Sequence, residues 1–140
     1  MIVVDSSALI AILRIEPTAL SLSERLEKEH QGARLVSVAS YIETGTVLAG
    51  RRTQQPIDAM KDLDEFLGDN GIDLVPVDIE QGRIALRARI EYGRGFGSRA
   101  GLNYGDSFSY ALAKAKSAPL LYVGNDFDKT DIVSALKTNR

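Results

Sequence analysis

The 140-residue sequence contains no cysteine and a single histidine. It also lacks any apolar run approaching the roughly 20 residues that a membrane helix needs. Without thiols there is no disulfide, no thiolate nucleophile and no cysteine-ligated zinc or iron–sulfur centre. His30 lies in the polar stretch Glu27-Lys28-Glu29-His30-Gln31, which reads as solvent-exposed and so argues against Ser-His-Asp catalysis and histidine-rich metal sites. The amino terminus, Met1-Ile2-Val3-Val4-Asp5, has no basic region ahead of an apolar stretch, so the expectation is a cytoplasmic protein with no membrane partner. Enzymatic chemistry here must come mainly from carboxylates, hydroxyls, Lys or Arg, or from a bound ion.

What is present is an apolar fraction of 44% with 26% charged residues, which suits a single compact domain over residues 1–140. Ile2 to Asp5 is a short continuous apolar run ending in a carboxylate, the pattern of a strand buried on both faces of a parallel sheet. Further strands are predicted at 35–38, 72–75 and 120–123. Helices are predicted from Ser7, from Pro17 to about Gln31, over 39–50, from Pro56 to about Leu67, from an Asp78 cap to about Tyr92, and over about 103–116. The last dozen residues carry an element too short to classify. This alternation predicts an α/β sandwich with a mainly parallel central sheet flanked by helices.

In such sheets ligands bind beyond the carboxyl ends of the strands, where Asp5 ends the first strand and Asp126 follows the fourth. Each alone is explained as a helix cap or loop residue. Glu43 shares its predicted helix face with Ala39, Thr46, Val47 and Gly50. It is either turned inward, where it must be paired, protonated or metal-bound, or exposed on a marginally amphipathic helix. Asp106 sits in the first turn of its helix, on a stripe with Ser109, Tyr110 and Ala113. Capping explains it singly, but not why four acids should point to one end of the sheet. Clustered carboxylates repel unless a cation lies among them, and hard ions such as Mg²⁺ and Mn²⁺ select oxygen ligands.

Four segments carry these acids: Ile2-Val3-Val4-Asp5-Ser6-Ser7-Ala8-Leu9, Ser40-Tyr41-Ile42-Glu43, Gly101-Leu102-Asn103-Tyr104-Gly105-Asp106-Ser107-Phe108-Ser109-Tyr110-Ala111-Leu112-Ala113, and Leu120-Leu121-Tyr122-Val123-Gly124-Asn125-Asp126-Phe127. In order and spacing they resemble the acidic segments of PIN-domain ribonucleases, and more narrowly the VapC toxins of type II toxin–antitoxin systems. The resemblance implies a PIN-like sandwich and Mg²⁺-dependent endonucleolytic cleavage of RNA, with Mn²⁺ as a possible substitute. Asp5, Glu43, Asp106 and Asp126 correspond to the family's metal-centre acids, which would hold one or two ions that orient water for in-line attack. Ser6 or Ser7 falls where the family often has a hydroxyl residue that could bond to the Asp5 carboxylate or to phosphate, with Ser7 the possible supporting residue, or both are simply first-turn caps. Asp128 could join the fourth acid directly or through water. The resemblance further implies a VapB-like antitoxin partner and a homodimer. The alternatives are a metal-dependent small-molecule phosphatase and a non-catalytic RNA-binding module. Against the first, Asp5-Ser6-Ser7 lacks the second aspartate of haloacid-dehalogenase-type phosphatases.

From residue 83 to 99 the chain has Arg83, Arg87, Arg89, Arg94 and Arg99 against Glu91 alone, within a total charge of −2. Arg94 and Arg99, on a glycine-rich loop with one aromatic, are candidate RNA contacts, against the alternative of an ordinary solvated surface. Arg51-Arg52 is a second candidate, or the basic end of its helix. No Walker pattern and no Gly-x-Gly-x-x-Gly after the first strand supports nucleotide hydrolysis or dinucleotide chemistry. The aromatics Phe66, Tyr92, Phe108, Tyr110, Tyr122 and Phe127 are expected to pack in the core.

Overall fold

The computed structural model describes residues 1–52 and 55–136. Its elements are β1 (Ile2–Val4), α1 (Ser6–Leu13), α2 (Ala19–Glu27), β2 (Arg34–Ser37), α3 (Val38–Gly50), α4 (Asp58–Asp69), β3 (Ile72–Val75), α5 (Ile79–Tyr92), α6 (Tyr104–Ala115) and β4 (Leu120–Leu121). The strand order is β3-β2-β1-β4, and every neighbouring pair is parallel. The expected α/β sandwich is therefore present, with a sheet that is wholly parallel.

Alternation along β1 explains the two layers. Ile2 and Val4 join Leu9, Leu22, Val36, Leu63 and Leu67 on one face, while Val3 joins Leu35, Tyr110, Leu112, Leu120 and Phe127 on the other. A strand covered on both sides has to be apolar throughout, which is why the amino-terminal run shows no polar alternation. Each fully buried Leu or Val contributes about 1.5–3 kcal/mol relative to exposure. Helices α1, α2 and α4 cover the first face, and α5 and α6 the second.

Several boundaries differ from the sequence expectation, for local reasons. The helix expected to reach Gln31 ends at Glu27, and the chain reverses through Gly32 at φ +87° before entering β2. The fourth strand stops at Leu121 because the N–H of Val123 donates to Ser7 Oγ at 3.0 Å instead of to a neighbouring strand. The carboxyl-terminal segment covers the outer edge of β4: Leu120 N donates to Val133 O at 2.9 Å, and Ala135 N to Leu120 O at 2.8 Å. Among the described residues no helix is long and apolar enough to cross a membrane.

The connections run from β1 outward to β2 and β3, whereas β4 lies on the opposite side of β1. The order therefore reverses between β1 and β4, and the crevice beyond their carboxyl ends is the natural ligand site.

Candidate active site

Asp5 follows β1 directly and is the N-cap of α1, so the cap reading of this residue is correct and does not exhaust its role. It is almost fully buried, and both its oxygens are engaged. Oδ2 accepts from the Ser7 N–H at 3.0 Å and the Ser7 hydroxyl at 2.6 Å. Oδ1 accepts from Ser109 Oγ at 2.5 Å, and Ser109 Oγ lies 2.9 Å from Ser40 Oγ. Since the Ser109 proton goes to Asp5, Ser40 is the donor in that second contact. Such donors offset the hydration that a buried carboxylate gives up. They also tie the end of β1 to the start of α3 and the middle of α6.

Glu43, on the second turn of α3, is half-buried, and its Oε1 accepts from Ser6 Oγ. The inward alternative is thus the correct one. Gly105 explains how α6 approaches this carboxylate: a Cβ there would overlap Glu43 Oε2 and stand 3.0 Å from its Cδ. Asp106 closes a capping box with Asn103: its N–H donates to Asn103 Oδ1 at 2.8 Å, and its Oδ2 accepts from the Asn103 N–H at 3.1 Å. Burial pushes the Asp106 carboxyl from the ordinary 3.8 up to about 7. The Asn103 N–H opposes that rise, and the negative charges of Asp5, Asp126 and Glu43 add to it.

Asp5, Ser6, Ser7, Glu43, Asn103, Asp106 and Asp126 all line one cleft of about 260 Å³. Asp126 reaches it through a turn at Gly124, where φ is +91°. Asp128 does not line the cleft; its Oδ1 accepts from the Tyr122 hydroxyl at 2.7 Å. Arg94 and Arg99 are exposed on a loop outside the cleft, whose neck is closed by Arg94 N donating to Leu102 O at 3.0 Å and Leu102 N to Tyr92 O at 2.9 Å. Arg52 is ion-paired with Asp62 of α4, which favours the structural reading of that residue.

A family model described as the PIN domain matches residues 2–133. The chain belongs to the PIN-domain family. Within it, VapC ribonuclease Mb0640 of Mycobacterium bovis is 44% identical over 132 residues, covering 94% of this chain and 96% of that protein. Ribonuclease VapC28 of Mycobacterium tuberculosis is 42% identical over 134 residues, covering 96% and 97%. Among solved structures, the Mycobacterium tuberculosis toxin VapC20, titled a sarcin-ricin loop cleaving toxin, aligns with a TM-score of 0.71 at 17% identity, covering 95% of this chain and 97% of its own. A toxin–antitoxin complex from Klebsiella pneumoniae aligns at 0.70 with 14% identity, covering 99% and 100%. At those identities the two structures speak for the fold.

PIN-domain ribonucleases are in general divalent-metal dependent. The cleft fits such an ion: its donors are all oxygen, and the mutual repulsion that helps raise the Asp106 pKa is what a hard cation would relieve. Among the described residues, no three acids stand close enough to form a ready-made ligand group. Three of them are held instead by a hydroxyl or N–H partner of their own: Asp5 by Ser7 and Ser109, Glu43 by Ser6, and Asp106 by the Asn103 N–H. Ser7 makes the bond to the Asp5 carboxylate that was expected of Ser6 or Ser7, whereas Ser109, Ser40 and Gly105 are residues that sequence reasoning missed. Ser109 lies on the Asp106 stripe, one turn along, where periodicity gives it no role. Ser40 and Gly105 carry no signal until α3 and α6 are brought together, and only the packing of α1 against α3 shows that Ser6 bonds Glu43 and not Asp5.

Proposed function

We propose that residues 1–140 form a single PIN domain acting in the cytoplasm as a Mg²⁺-dependent endoribonuclease, the toxin of a type II toxin–antitoxin pair. The observation that carries this reading is the convergence of Asp5, Glu43, Asp106 and Asp126 from four separate segments on one cleft at the reversal point of the sheet. The likeness to proteins named VapC ribonucleases over nearly the whole chain supports it.

In this reading Asp5 and Asp106 are the principal ligands of Mg²⁺, or of Mn²⁺ in its place, with Glu43 and Asp126 completing the site. When bound, the ion supplies the positive charge that favours hydrolysis of a phosphodiester. Ser7, Ser109 and Ser6 orient the carboxylates, so that little reorganisation is needed when a phosphate enters. Arg94 and Arg99 draw the RNA backbone toward the cleft. The protein is a homodimer restrained by a VapB-like antitoxin, which presents an Arg or Lys to the acidic cleft.

Incubation of the purified protein with total RNA tests the reading. Cleavage is expected with Mg²⁺ or Mn²⁺, none with chelator, and none from the Asp106→Asn variant. Cleavage that survives chelation, or that Asp106→Asn leaves intact, would remove the four acids from the chemistry.

A further inference from the structure

The amino-terminal turn of α6 is the only part of that helix that reaches both the cleft and open solvent. Asn103 and Asp106 line the cleft and Gly105 abuts Glu43, while Tyr104 leaves the same turn with 71% of its surface exposed. Its ring does not hang free. The Phe108 ring, one turn on and expected from sequence to be a core residue, meets it edge-on with centroids 4.9 Å apart and planes at 85°. Such an edge-to-face pair holds one face of Tyr104 open and fixes its direction. Helix rise is about 1.5 Å per residue, so the ring originates within the span of a single nucleotide from Asp106.

The segment leading into this turn repeats the theme. Arg94, Phe96 and Arg99 are exposed on the loop ahead of Asn103, Phe96 by 60%. Neither arginine has an ion-pair partner among the described residues. Cations for phosphates interleaved with open aromatic faces are the chemistry of single-stranded nucleic acid, whose unpaired bases stack where a duplex presents none.

We propose that Tyr104, braced by Phe108, is a stacking subsite for an unpaired base of the RNA beside the scissile phosphate. The inference rests on the ribonuclease reading, but its test does not depend on cleavage. Binding is measured with chelator present, using a labelled oligoadenylate and an abasic ribose-phosphate oligomer of the same length, which has equal charge and no bases. The wild type is expected to bind oligoadenylate about tenfold more tightly than the abasic chain. Tyr104→Ala removes most of that preference, Tyr104→Phe keeps it, and Tyr104→Leu, apolar but without a π-face, does not restore it. Equal binding of the two oligomers by the wild type overturns the proposal, as does an unchanged preference in Tyr104→Ala. A Tyr104→Ala variant that keeps the preference but sediments as a smaller species also overturns it, and makes the ring part of a contact between protein chains. Metal-dependent cleavage of total RNA by the wild type, run in parallel, tests the ribonuclease reading separately.

Discussion

Gly105 shows how one atom's absence can serve a site. In a helix interior Gly is ordinarily worse than Ala by about 0.8–1 kcal/mol. Here, however, a Cβ would collide with the Glu43 carboxylate, the flexible end of a side chain. Gly105→Ala is therefore expected to leave the melting temperature unchanged or slightly raised, while RNA cleavage falls at least about tenfold as Glu43 is pushed aside; cleavage assays beside thermal melts separate the two effects. Asp106 makes the complementary case. Its folded-state pKa of about 7 exceeds the ordinary 3.8, so between those values the metal-free native state holds a proton that the unfolded chain has released. Stability consequently declines as pH rises from about 4 to 7 and is level above that. Asp106→Asn lacks this penalty. Urea titrations should find the variant more stable than wild type at pH 8, by as much as a few kcal/mol, with the gap closing toward pH 4; a gap that does not change with pH would contradict a raised pKa.

At the scale of the element, α6 does three things at once. Its stripe of Asp106, Ser109, Tyr110 and Ala113 is buried, its first turn is capped by Asn103, and its outward side carries Tyr104 and Phe108. Periodicity revealed the buried stripe but assigned Phe108 to the core, because a helical wheel cannot tell which neighbours will cover an aromatic side chain near the end of a helix. The loop before α6 was legible as glycine-rich and basic. Its closure was not, since the bonds from Arg94 and Leu102 across the neck, and from Arg89 to the Leu102 carbonyl, pair residues distant in sequence. Closure holds Arg94 and Arg99 outside the cleft, so the role proposed for them is contact with phosphate and not with the reacting group. Neutralising both should lower the slope of log affinity against log salt by roughly 1.4 for single-stranded RNA, two contacts' worth, without abolishing cleavage. Filter binding across a salt series measures this, and an unaltered slope would return the pair to the role of solvated surface.

For the whole molecule, the central consequence is coupling between the cleft and global stability. An ion that binds only the folded state adds stability by mass action, about 2.7 kcal/mol at a hundred times its dissociation constant. Because binding must displace the proton held by Asp106, the gain should be larger at pH 8 than at pH 6. The expected result is a Mg²⁺- or Mn²⁺-induced rise in melting temperature that shrinks on acidification and is absent in Asp106→Asn. A rise independent of pH would place the ion elsewhere.

The order of strands and helices, the burial of β1 on both faces and the four acidic segments were determined by the sequence itself. They follow from short-range patterns: apolar runs, caps such as Asp78, and turns such as Asp69-Asn70-Gly71. That Asp126 lines the cleft while Asp128 accepts from Tyr122 was decided only by the tertiary structure. So was the early end of β4, since the hydroxyl that takes the Val123 N–H belongs to Ser7, at the other end of the chain. Likewise, Ser109 and Ser6 become partners of the acids, and Ser40 a partner of Ser109, only when α1, α3 and α6 meet. Secondary structure responds to neighbours a few residues away, whereas the state of a buried carboxylate depends on whichever donors the packed layers bring to it, however distant in the chain.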